Sequence, residues 1–138
     1  MKNLITTMLL AVGLSACGQF GSKHNHPKSI TLETQTPIDK TAKAAFEAWQ
    51  NGNSKQWLSF FTEDAVLTDD GHPRNFRTFS KKTIGNEYFT SIDKIENNGL
   101  SIYGKFHSDT WGDFKTYFKF HLNSKGKIFK LEIGQASY

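Results

Sequence analysis

The chain has 138 residues, and its 17 Lys and Arg against 13 Asp and Glu leave a formal charge of only +4. So weak a basic bias is no nucleic-acid signature, and a single cysteine excludes an internal disulfide framework. The 12 phenylalanines, 3 tryptophans and 4 tyrosines suffice for the core of one domain.

The opening MKNLITTMLLAVGLSAC reads as a secretory signal, with Lys2 ahead of an uncharged apolar run from Leu4 to Leu14. That run is far shorter than the roughly 20 residues a membrane-crossing helix needs. LSAC, Leu14 to Cys17, resembles the bacterial lipobox. The resemblance implies a signal peptide over 1–16, lipidation of Cys17, and a mature protein anchored to a membrane of the bacterial cell envelope. From 17 to 36 glycines and polar residues show no sustained apolar period, so this segment reads as a tether. If flexible, its roughly 20 residues span about 25 Å. His24 and His26 lie in it without a third ligand nearby, and no metal or cofactor is expected.

The folded part is expected over 37–138. Thr36 reads as a helix cap, with Pro37 in the first turn and Asp39 near the positive end. Ile38, Ala42, Ala45, Phe46 and Trp49 then recur at helical spacing until Asn51-Gly52-Asn53 stops the helix. Ser54 is expected to cap a short helix carrying Trp57, Leu58, Phe60 and Phe61. Ala65 to Asp69 follow as a strand, and Asp70-Gly71-His72-Pro73 as a turn. A third helix, capped by Ser80, would place Ile84, Tyr88 and Ile92 on one face, ending near Asn97-Asn98-Gly99.

Beyond Leu100 the period becomes two. Leu100, Ile102, Gly104 and Phe106 alternate with Ser101, Tyr103, Lys105 and His107. Phe114, Thr116, Phe118, Phe120 and Leu122 alternate with Lys115, Tyr117, Lys119 and His121, and a turn at 123–126 leads into a last strand ending at Gln135. Helices followed by hairpin-connected strands with one apolar face predict an α+β domain, its helices covering the sheet.

Residues 44–71, AAFEAWQNGNSKQWLSFFTEDAVLTDDG, resemble the opening of the nuclear transport factor 2-like superfamily, which includes SnoaL-like polyketide cyclases and ketosteroid isomerase. The shared pattern is a helix ending near N-G-N, a short helix ending in F-x-x-D-A, and a strand ending in an acidic residue. FHLNSKGKIFKLEIG, Phe120 to Gly134, is similar to the closing hairpin. The resemblance implies a curved antiparallel sheet wrapped around the N-terminal helices, a cone-shaped, cystatin-like roll with a ligand pocket at its open end.

The same resemblance places Asp69 where the isomerase has its general base. The tyrosine and aspartate of the isomerase's oxyanion hole fall on Ala45 and Phe118, neither of which can donate. Losing one such donor typically lowers the rate by about 100- to 1,000-fold, so steroid isomerisation is not expected. Neither a G-x-S-x-G elbow, nor a phosphate-binding glycine loop, nor H-E-x-x-H is present.

Three functions are compatible with these residues. One is a lipoprotein binding a small apolar or amphipathic ligand, with Phe46, Trp49, Tyr88, Phe118, Leu131, Ile133 and Gln135 as wall and Asp69 as polar handle. Another is a SnoaL-like isomerase, cyclase or dehydratase with Asp69 as catalytic base and Tyr88, Tyr103 or Trp111 as donor. The last is an interaction module that uses the lysine- and aromatic-bearing sheet face to meet the envelope, a protein, or a second copy in a homodimer. An exported protein has no use for a nucleic-acid partner.

Overall fold

Helix α1 (Lys40–Gln50) begins where Asp39 can terminate it: the Asp39 carboxylate accepts from the Thr41 and Ala42 amides at 2.9 and 3.0 Å. A carboxylate there satisfies amides that have no partner within the helix and also faces the positive end of the dipole. Asp39 is thus the cap itself, and the expected cap at Thr36 and Pro37 falls outside the described residues. The computed structural model describes Ile30, Leu32 and residues 38–138, so Cys17, His24 and His26 also lie outside. Ala42, Ala45, Phe46 and Trp49 form the buried stripe that their spacing predicts. Gly52, at φ 67°, turns the chain into α2 (Ser54–Ser59), which Asn53 rather than Ser54 caps.

Strand β1 (Phe61–Asp69) starts at Phe61, earlier than the predicted Ala65. Asp70 and Gly71, with φ of 48° and 80°, form a two-residue hairpin loop of the positive-φ kind into β2 (His72–Arg74). Helix α3 (Phe76–Thr83), capped by Asn75, then gives way to β3 (Glu87–Glu96).

Here the sequence reading is overturned. Ser80 lies inside α3, and Tyr88 and Ile92 are strand residues. Positions four apart share a face in a helix and also in a strand, so the spacing of Ile84, Tyr88 and Ile92 could not decide between them. A short 3₁₀ turn, Asn97–Gly99, leads to β4 (Ser101–Ser108), followed by β5 (Gly112–Leu122) and β6 (Ile128–Gln135).

The six strands form one sheet in the order β2-β1-β6-β5-β4-β3. Every pairing is antiparallel except that of β1 with β6, which makes the expected antiparallel sheet a mixed one. Irregular register in β1 and twice in β3 bends these strands, as bulges do, and the sheet is curved and unclosed. Gly104 sits opposite one irregularity: a Cβ there would run into the Ser91 carbonyl.

The inner face carries Leu67, Ile102, Phe106, Phe118, Phe120 and Leu131, all buried against Phe46, Trp49, Trp57 and Phe76 of the helices. Ring centroids of Trp49 lie 5.0 Å from Trp57 and 5.1 Å from Phe118, an edge-on geometry favourable for aromatic quadrupoles. Gln50 fastens α1 to β3 by exchanging two hydrogen bonds with the Phe89 backbone, at 3.0 and 2.8 Å. Leu32, within the segment read as tether, is buried in this same core. Among the described residues no helix is long and apolar enough to cross a membrane.

Candidate functional site

One end of the sheet is left open. There the C-terminal ends of β1 and β6 meet the start of β5 and the β4–β5 turn, around a cleft of about 440 Å³. Its lining is Asp69, Asp70, Trp111, Asp113, Phe114, Thr116, Gly134 and Gln135. The volume is within the range of small-molecule sites.

Register explains the convergence. Asp69 pairs with Ile133, Ile133 with Phe118, and Thr116 with Gln135, so Asp69, Thr116 and Gln135 continue the inner face past Ile133 and Phe118. Asp69 shares a face with Leu67, as alternation predicted. Its carboxylate is about one-third exposed and lies 3.5 Å from Arg74 Nε. The two-residue turn sets that ion pair by placing Arg74 opposite Leu67 and hence diagonal to Asp69. Asp70 has a different task, its Oδ1 accepting from the Gln135 amide at 2.9 Å. That contact needs Gly134, since a Cβ at this position would meet the Asp70 carboxylate and the Tyr117 hydroxyl.

The opposite wall is aromatic. The Phe114 ring lies 5.6 Å from Phe106 at the edge of the core, while Trp111 in the turn is 79% exposed. Ser108 organises this turn: its Oγ accepts from the Thr110 and Trp111 amides and donates to Glu87 Oε1 at 2.9 Å. Burial pushes the Glu87 carboxyl above its ordinary range; the Ser108 hydroxyl opposes this, and the negative charges of Asp69 and Asp109 add to it. On the outer side His107 lies 2.6 Å from Asp113 Oδ1 and 3.2 Å from Asp109 Oδ1. The Asp113 contact raises the imidazole pKa; desolvation opposes it, and the Asp109 contact adds to the rise.

Of the residues singled out from the sequence, Asp69, Gln135 and the candidate donor Trp111 line the cleft, and Ile133 lies beside Asp69 in register. Phe46, Trp49, Phe118 and Leu131 face the same interior at greater depth and are sealed in the core, being at most 1% exposed. Alternation identified their face; the covering helices determine their depth.

Tyr88 pairs with His107 on the outer face, its ring 5.2 Å from the imidazole, because β3 is a strand rather than the predicted helix. Ala45 and Phe118 are buried apolar side chains. Sequence reasoning missed Asp70, Asp113, Phe114 and Thr116 as cleft residues. The available signal was the turn Ser108 to Asp113, which puts a tryptophan among polar and acidic residues. Among the described residues no group of three or more His, Cys, Asp or Glu could hold a metal ion.

No family model and no curated protein matches this chain. Solved structures do. An NTF2-like protein of unknown function from Cytophaga hutchinsonii matches with a TM-score of 0.57 at 13% identity, over 75% of this chain and 95% of that one. A candidate polyketide cyclase from Xanthomonas campestris matches with a TM-score of 0.51 at 15% identity, over 70% of this chain and 87% of that one. The orange carotenoid protein of Anabaena, in a structure binding canthaxanthin, matches at 0.58 and 19% identity, over 81% of this chain but 41% of that one. At these identities the likeness concerns architecture: the chain has the nuclear transport factor 2-like, cystatin-like fold.

Proposed function

We propose that the chain is an exported, lipid-anchored binding protein that holds a small amphipathic molecule in the cleft at the open end of its sheet. The supporting observation is the lining itself, in which Asp69 and Gln135 supply polar handles and Phe114 and Trp111 apolar contact around about 440 Å³. The canthaxanthin-binding neighbour and the candidate cyclase share the fold and are consistent with this use of it. Anchoring rests on LSAC, and Cys17→Ala is expected to release the protein from the membrane fraction. Steroid-isomerase chemistry is disfavoured because Ala45 and Phe118 offer no oxyanion donor. Native mass spectrometry of gently purified protein tests the binding reading: a stoichiometric adduct lost in Trp111→Ala and Asp69→Asn supports it, whereas an adduct indifferent to both contradicts it.

The outer face favours an interaction reading as well. Lys105 and Lys115 are directly opposite on β4 and β5, a repulsive pairing, and the Lys94, Lys115 and Lys119 ammonium groups lie 4.3 to 4.9 Å from the Tyr103, Tyr138 and Tyr117 rings. Such a face suits an acidic envelope component or a second copy. Lys105→Glu with Lys119→Glu should then abolish envelope binding or self-association; unchanged behaviour in both assays excludes this reading.

A further inference from the structure

We infer that the molecule held in the open-end cleft carries a positively charged amine. The inference rests on the binding reading above and adds the ligand's charge. Although the chain as a whole is basic, among the described residues no lysine or arginine lines this cleft, whereas Asp69, Asp70 and Asp113 do.

Their partners leave the carboxylates incompletely balanced. Asp70 is held by a backbone amide, which brings no formal charge. Asp69 has Arg74, whose side chain is more than half exposed, at 3.5 Å, a screened interaction. Asp113, 81% exposed, has His107, and on its outer side Lys105 and Lys115 line a neighbouring hollow with it, so Asp69 and Asp70 carry most of the excess inside the cleft. The carboxyl of Glu87 responds to the same local excess, since Asp69 and Asp109 reinforce the effect of its burial.

An independent observation is aromatic. Trp111 stands 79% exposed on the rim beside these carboxylates, its amide held by Ser108 Oγ at 3.2 Å. An exposed indole beside carboxylates suits an organic cation, which gains from the ring quadrupole and the negative potential together. Anions gain neither. The Thr116 hydroxyl, a donor that an anion could use, is already committed to the Gly134 carbonyl at 2.7 Å.

The test is a titration of the folded domain with decyltrimethylammonium, decyl maltoside and decyl sulfate, each below its micellar concentration. Binding is read by calorimetry and by Trp111 fluorescence; Trp49 and Trp57, being fully buried, supply the constant background. The expected result is that the ammonium compound binds roughly tenfold or more tightly than the other two, with the preference shrinking as salt is added. Asp69→Asn combined with Asp113→Asn should remove the preference while leaving the melting temperature near wild type. If that variant does not fold, Trp111→Ala should lower affinity for the ammonium compound severalfold while retaining the fold.

Equal binding of all three compounds overturns the amine inference and leaves the cleft reading standing. Preference for the sulfate overturns it and moves attention to the lysines of the outer face. No binding by any of them overturns both.

Discussion

The two ends of this sheet are built by opposite chemistry. Towards the helices, Trp49, Trp57, Phe76, Phe118 and Phe120 exclude water almost completely, and their ring contacts form one continuous cluster. At the open end the same inner face continues as Asp69, Thr116 and Gln135, flanked by an exposed tryptophan. Stability therefore resides at one end of a shared surface and recognition at the other, so substitutions at the two ends should fail in different assays.

The largest separation should come from Trp57→Ala, which empties a fully buried site and is expected to cost about 3–5 kcal/mol in chemical denaturation. Asp69→Asn should stay within about 1 kcal/mol of wild type, since its ion pair is partly solvated. Equal losses would break the division. Next comes Gly104→Val, whose side chain must displace the Ser91 backbone; about 1–3 kcal/mol is expected by the same measurement.

A finer comparison lies within the core. Trp57 Nε1 donates to the buried Ser80 hydroxyl at 3.0 Å, whereas Trp49 Nε1 has no partner among the described residues. Trp57→Phe should therefore be more destabilising than Trp49→Phe, by about 1 kcal/mol. Equal losses would mean that the indole nitrogens do not matter, and a reversed order would contradict the assignment.

The smallest effects are those of pH. Because the Glu87 pKa is raised on folding, its contribution to stability is fully present below the ordinary value of 4.5 and is lost as pH rises through the folded value. Glu87→Gln should flatten denaturation midpoints across that interval. His107, also raised, contributes stability fully below its ordinary 6.5 and loses it as pH rises through its own folded pKa; His107→Gln should flatten only that higher window.

Much of the core end was legible in the sequence. The stripe Ala42, Ala45, Phe46, Trp49 and the alternation of Phe114 to Leu122 follow periods of 3.6 and 2, and burial follows those periods. The open end was legible at Asp69 and Gln135, which lie on strands with clear alternation, and at Trp111, named only as one of three candidate donors. Its other members depend on pairing between distant segments. Arg74 reaches Asp69 through a hairpin register, and Glu87 reaches Ser108, which holds the Trp111 turn, only because β3 is extended, which a spacing of four could not reveal. The parallel pairing of β1 with β6 joins distant parts of the chain and leaves no local pattern.

Backbone amide NMR during titration with decyltrimethylammonium tests the central claim most directly, because it reports both ends and both faces at once. The account predicts shifts confined to the cleft around Asp69, Asp70, Trp111, Asp113, Thr116 and Gln135, with Tyr103 and Lys119 on the outer face unmoved. Shifts centred on that outer face, or none at the open end at saturation, would contradict it.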